Sequence, residues 1–255
     1  MAQIQAKTVY DDLLDKLNGI FSGLTYYLDK SNLSMQLMLL KRDCESLAKA
    51  SRIESDASFI VYHSLFGDVE MMRRHYDNAV SLGAKNKVLN IYIHGLWALG
   101  FFTEALLLAI ENLTPTSGMF GENYTYITRN GGHKTVLQYF EECKSMNMNI
   151  EMAEKDSIQS NIVANILDEE DLQDHDLAKY MDVAGEVARK HRIFLSNQAM
   201  THTLIRHDDE TFYEIQFLIN EDPEFVACLN MELAEKLAAS DVIMPTGLNI
   251  SFRCL

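Results

Sequence analysis

Through most of this chain apolar residues recur at helical spacing. Val9, Leu13, Leu17, Ile20, Phe21 and Leu24 fall on one face and predict a first helix from Thr8 to about Leu28. Asp11 and Asp12 stand in its first turn, where the helix dipole favours acids. Ser31-Asn32 reads as the cap of a second amphipathic helix reaching about Ala50, and Ser55 or Asp56 as the cap of a third. Gly83 is placed to end a fourth, a further pair is expected over about Asn86 to Leu113, and Pro115 closes it. Residues 114–121 read as a loop, and two more helices are expected at 153–167 and about 171–191. After His191 the period changes to two. Tyr213, Ile215, Phe217 and Ile219 alternate with Phe212, Glu214, Gln216 and Leu218, which predicts a strand, with Ile193–Arg206 as its antiparallel neighbour across His207-Asp-Asp-Glu210. Asp222-Pro223-Glu224 starts a helix carrying Phe225, Leu229, Leu233 and Leu237, and Leu248, Ile250 and Phe252 form a last strand.

Among the helices, a pair of stretches thirty-three residues apart share the same layout. One runs from Val61 through Gly67-Asp68 and Met72, Tyr76 and Ala79; the other from His94 through Gly100, Glu104, Ala105 and Ala109. Each is an apolar-periodic helix, a glycine at the turn, and a second such helix. Gly131-Gly132, Val136, Phe140 and Cys143 supply a weaker third copy. A unit of this kind cannot bury its apolar face alone, so units stack and present a surface rather than a pocket.

This spacing resembles the tetratricopeptide repeat. Gly67-Asp68 matches that family's turn, with Tyr76 at its aromatic position, Ala79 at its second alanine and Met72 replacing the first. In the next copy Gly100, Glu104 and Ala105 match, while Phe101 replaces the aspartate, Ala109 the aromatic and Asn112 the later alanine. The resemblance covers about 55–115, is weaker over 25–50 and 120–148, and ends before 193. It implies a superhelix with a concave groove that binds protein. If the family geometry holds, the first helix of each pair lines that groove, placing Tyr62, Phe66, Tyr92 and Trp97 at the partner contact, with Phe59 and Leu96 in the core.

The expected fold is therefore mostly α: a TPR-like solenoid of stacked antiparallel helix pairs over 1–192, wound right-handed, with a small C-terminal β-β-α-β layer over 193–255. A sheet this small needs the preceding helices to complete its burial. Its last strand, Leu248–Leu255, also leaves an edge that invites a homodimer unless Arg253 or a packed helix protects it.

Charge adds one feature. The net charge is −15, but residues 1–150 hold 16 acidic and 14 basic side chains, against 21 and 8 in 151–255. Eleven of the acids lie in 151–186, beside Lys155 and Lys179 alone. Such a chain repels phosphate backbones, so direct nucleic-acid binding is not expected. The run is either a solvated helical surface or a docking face for a basic partner.

Cys44, Cys143, Cys228 and Cys254 form no CxxC pair, the first residues lack a signal peptide's apolar core, and Leu96–Ile110 is too short to span a bilayer. A cytoplasmic protein away from the membrane is expected. Gly118-Met-Phe-Gly121 lacks the tail of a phosphate loop, and no GxSxG or HExxH motif occurs. Asp168–Asp171 and Asp174-His-Asp176 lack the glycine of a calcium loop, so they read as helix-capping acids. Arg206–Glu210 reads as a hydrophilic turn, and His75 as an interior or surface histidine rather than a ligand. The thirteen methionines, among them Met35, Met38, Met71, Met72, Met146 and Met148, read mainly as core, though a methionine-lined groove suits a partner helix. The expectation is a non-catalytic interaction module or adaptor for a protein partner, with no cofactor or metal. The alternatives are an acidic, immunity-type inhibitor of a basic nucleic-acid enzyme, and a metal-dependent hydrolase.

Overall fold

The computed structural model describes residues 2–31, 33–112, 120–147, 151–195, 200–207 and 210–255. The expected caps and loops at Asn32, 114–119 and Asp208-Asp209, with Met148, lie outside them. Eleven helices and one three-stranded sheet are described, so the chain is mostly α with a small C-terminal β layer. Two compact units are formed, Met1–Leu99 with Arg189–Asn197, and Gly100–Ala188 with Gln198–Leu255.

The first unit stacks α1 (Ala2–Phe21), α2 (Met35–Leu47), α3 (Arg52–Ser64), α4 (Val69–Ser81) and α5 (Lys85–Ala98). The caps fall slightly away from their predicted places. Ser34 accepts from Leu37 N to start α2, and Ser51 from Glu54 N to start α3. Ser55 and Asp56 are instead buried inside α3. Between α3 and α4, Gly67 adopts φ +68°, and a Cβ there would lie 2.5 Å from the Tyr27 ring. Only glycine combines that left-handed backbone with that approach. Asp68 then caps α4 through Met71 N. Met72 and Ala79 are buried, and Tyr76 stacks on Tyr92 of α5 with ring centroids 4.3 Å apart.

Ile193–Leu195, expected in a strand of the sheet, belong to this unit instead. Phe194 N donates to Thr25 O, Leu195 N to Ala98 O, and Tyr27 N to Arg192 O. Phe194 meets Phe21 edge-to-face at 4.6 Å. The apolar run from Ile193 to Leu195 reads like a strand; its partners simply lie about 100 to 170 residues earlier.

In the second unit α6 (Phe102–Glu111), α7 (Phe120–Arg129), α8 (His133–Ser145), α9 (Glu151–Glu169) and α10 (Asp174–Lys190) precede β1 (Met200–His207), β2 (Glu210–Ile219), α11 (Pro223–Ala239) and β3 (Leu248–Cys254). β1 pairs antiparallel with β2, and β3 runs parallel to β2, which requires the α11 crossover. In this register Tyr213, Ile215 and Phe217 share a face with Leu248, Ile250 and Phe252, and all six are buried. The other face is polar. There Glu214 is buried among Gln216, Ser251 and Arg253; burial raises its pKa, but hydrogen bonds from these three outweigh that and hold it below the usual range. Asp222 caps α11 as its sequence predicts. Asn230 of α11 then takes both Phe252 N and Phe252 O, so the helix satisfies part of the outer edge of β3.

Helix α10 ties the unit together. Gly100 (φ +71°) would place a Cβ 2.6 Å from the Gly185 Cα, and Gly131 (φ +90°) sits against Leu177 and Ala178. At both turns the helix that follows lacks a local side-chain cap, since Phe101 and Gly132 occupy the cap positions. The missing carboxylates come from α10. Asp182 accepts from Phe102 N and Thr103 N, and Asp174 from Lys134 N and Thr135 N.

Candidate functional site

The four aromatic residues expected at a partner contact are all in the first unit, and all are buried: Tyr62 is 4%, Phe66 8%, Tyr92 2% and Trp97 2% exposed. Tyr62 packs on Phe66 and on Phe59, Tyr92 on Tyr76, and Trp97 stacks on His94. Leu96 is core, whereas Phe59 is only half-buried. These rings fill the space between helices in this conformation.

Phe59 heads a second aromatic group. His63 and His75 stack on it and on each other, and His75 Nδ1 lies 2.7 Å from the buried carboxylate of Asp56, which Arg52 also meets. His75 is thus a satisfied interior histidine. Burial and the neighbouring His75 push the His63 imidazole down to about 4. It is neutral near pH 7.

Exposed apolar side chains gather on α2. Met35, Met38 and Leu39 are 69%, 46% and 43% exposed, while Leu37, Leu40, Cys44 and Leu47 are buried. Spacing of i, i+3 and i+4 puts the three on one strip of the helix surface. Sequence periodicity does not separate this strip from the buried one, because both faces of α2 are apolar over Met35–Leu40.

The acidic run 151–186 is less free than its composition suggests. Beside the caps from Asp174 and Asp182, Asp176 accepts from Gln173 N at the start of its own helix, and Glu170 from Thr246 N. Asp168 meets Lys134, and Glu186 meets Lys236. No group of three or more His, Cys, Asp or Glu side chains among the described residues is arranged to hold a metal ion. No helix among them is long and apolar enough to cross a membrane.

Among the described residues of the second unit, side chains line a pair of cavities. One, about 490 Å³, has Leu106, Leu107 and Ile110 on one side and Lys134, Gln173 and Lys179 on the other. The second, about 350 Å³, is polar and lies between α7, α9 and β1, with Tyr124, Arg129, Gln159, Ser160 and His202 in its wall. Behind this wall Ser160 Oγ lies 3.2 Å from His133 Nδ1, and His202 Nδ1 lies 2.8 Å from the Tyr213 hydroxyl. A serine beside a histidine resembles a nucleophile and its base. Yet burial, with His202 adding to it, pushes His133 down to about 3, too weak a base for neutral pH. Burial and the Arg129 charge bring His202 down to about 4. The pair is better suited to holding hydrogen bonds than to moving protons. Motifs and periodicity do not reveal this group, because its members come from positions 124 to 213 and no short motif links them.

No family model matches the chain, and no match is found among the curated proteins or the solved structures.

Proposed function

We propose that this chain is a non-catalytic interaction module built from tetratricopeptide-like hairpins, and that it docks an amphipathic helix of a protein partner. The observation that carries this reading is the exposed Met35, Met38 and Leu39 strip on α2. Methionine and leucine at such spacing accept a facing helix, since flexible apolar side chains repack around different partners. The hairpin details support the repeat assignment: a left-handed Gly67, an Asp68 cap, buried Met72 and Ala79, and a Tyr76 ring shared with the next helix. The acids of 151–186 that cap helices or pair with lysines favour this reading over an acidic inhibitor, because those carboxylates already have partners.

The test compares Met35→Ser/Met38→Ser with Tyr62→Ala in capture from the native host. The methionine variant should lose the captured partner with a nearly unchanged Tm, and the wild-type complex should persist when salt is raised, as apolar contacts do. Tyr62→Ala and Tyr92→Ala should instead lower stability by about 3–5 kcal/mol, the usual cost of emptying a buried aromatic site. Capture undiminished in the methionine variant, or a complex that dissolves in moderate salt, would refute the α2 assignment.

A further inference from the structure

We infer that the free edge of β1 pairs with the β1 edge of a second copy of this chain, joining their three-stranded sheets across a two-fold axis at Leu204. The pairing is independent of the docking strip, which lies in the other unit. The dimer contact expected at the last strand thus moves to the first.

The sheet order β1-β2-β3 leaves β1 and β3 at the edges. The β3 edge is met by α11, whose Asn230 takes both Phe252 N and Phe252 O. The β1 edge is different. Tyr213 N donates to Gly247 O and Ile219 O accepts from Leu255 N, so the odd-numbered residues of β2 turn their main chain towards β3. Glu214 and Gln216, lying between them, turn theirs to β1, where they face Thr203 and Thr201. His202 and Leu204 therefore point their N–H and C=O groups away from the sheet. Neither main chain has a hydrogen-bond partner among the described residues.

This edge also lacks the devices that keep strands apart. Its register with β2 is unbroken from Met200 to His207, so no bulge twists it away, and it holds neither proline nor lysine. Leu204 and Ile205, on opposite faces of the strand, are 36% and 43% exposed. Phe212, across from Ile205 on β2, is 38% exposed. An added strand would cover apolar surface on both faces at the same point.

A second β1 supplies what such a strand needs. Outward-facing residues must lie opposite outward-facing residues, which also keeps the faces of the joined sheet in register. An antiparallel pairing centred on Leu204 sets Leu204 against Leu204 of the second copy, Thr203 against Ile205 and His202 against Arg206. The exposed apolar residues of both copies then meet at the axis. The contact is isologous, so it closes with the same surface from each chain. Charge permits the approach here. A net charge of −15 opposes self-association in general, but β1 lies in a run, Val187–His207, that contains no Asp or Glu. No carboxylates face each other along the join.

Sedimentation equilibrium of the full chain, carried to high micromolar concentration, tests the pairing. A monomer–dimer equilibrium is expected, and the Leu204 amide should exchange with deuterium more slowly as dimer accumulates. Leu204→Pro removes an outward N–H without breaking a bond to β2, a placement that proline tolerates on edge strands. Ile205→Lys adds a side chain of the kind that blocks edges. Each should raise the dimer dissociation constant at least about tenfold, the net loss of a hydrogen bond per copy, with the circular dichroism of wild type retained. Leu255→Lys, beside the β3 edge, and Met35→Ser/Met38→Ser on α2 should leave the dimer intact. A monomer at every concentration, even one that binds a foreign extended peptide along β1, would overturn the pairing. So would a dimer that survives both β1 variants or dissociates in the α2 variant.

Discussion

Replacing Asp174 by alanine is the sharpest test of how the second unit is held. The carboxylate is buried and accepts from Lys134 N at 2.9 Å and Thr135 N at 2.7 Å, about forty residues away in sequence. With Gly132 at the cap position, α8 has no cap of its own. Loss of an N-cap costs about 1 kcal/mol, up to about 2. Leaving two partly buried N–H groups dry adds to this, for a total of about 2–3 kcal/mol. For a chain of this size that corresponds to a Tm lower by about 4–12 °C. Urea and thermal unfolding of Asp174→Ala, Asp174→Asn and the exposed control Glu169→Ala would measure it. The asparagine variant should fall between wild type and alanine, since its amide oxygen still accepts. Burial also raises the Asp174 pKa, against the backbone hydrogen bonds that lower it. The folded state therefore holds this proton more tightly than the unfolded chain. Its contribution to stability declines as pH rises from the unfolded pKa through the folded one, a trend Asp174→Asn should lack. If Asp174→Ala unfolds within about 0.5 kcal/mol of wild type, the typical surface effect, the remote cap is not a support of the fold.

Two further outcomes follow from the turns and the buried histidines. Gly83 and Gly100 share a left-handed backbone, but a Cβ meets nothing within 4 Å at Gly83 and meets the Gly185 backbone at 2.6 Å at Gly100. Gly83→Ala should cost only the conformational strain of about 1–2 kcal/mol, whereas Gly100→Ala should cost clearly more; equal losses in urea unfolding would count against close packing of α10. His63, His133 and His202 are lowered to about 4, 3 and 4, chiefly by burial, so the unfolded chain binds their protons first. Their contribution is intact above the ordinary histidine pKa and is lost as pH falls from about 6.5 towards 4. The urea midpoint should drop over that range, and less so in His202→Gln; a midpoint that holds to about pH 4.5, two units below the ordinary histidine value, would contradict their burial as neutral rings.

What the sequence determined by itself is what local rules determine. Apolar spacing placed the helices, and Gly67 and Gly100 marked turns because left-handed backbone admits few other residues. Alternation in Phe212–Ile219 declared a strand, and Asp222-Pro223 a helix start. Each of these signals lies within about one turn or one hairpin of its effect. Tertiary structure decided whatever depends on a distant partner. Phe101 and Gly132 read as departures from a capped turn until α10 brings Asp182 and Asp174 to the open helix ends. The acidic run read as solvated surface or docking face for the same reason, since its caps span 80 and 40 residues. Ile193–Leu195 carry a strand's apolar character, yet only the folded chain selects Thr25 and Ala98 as their partners. On α2 the chain offers apolar residues on both sides, and packing alone chooses Leu37 and Leu40 for the interior and leaves Met35, Met38 and Leu39 outside. The polar cavity between α7, α9 and β1 is the extreme case, because Arg129, His202 and Gln159 meet only where two helices and a strand converge. Hydrophobic periodicity encodes which face is buried; it does not encode what that face is buried against.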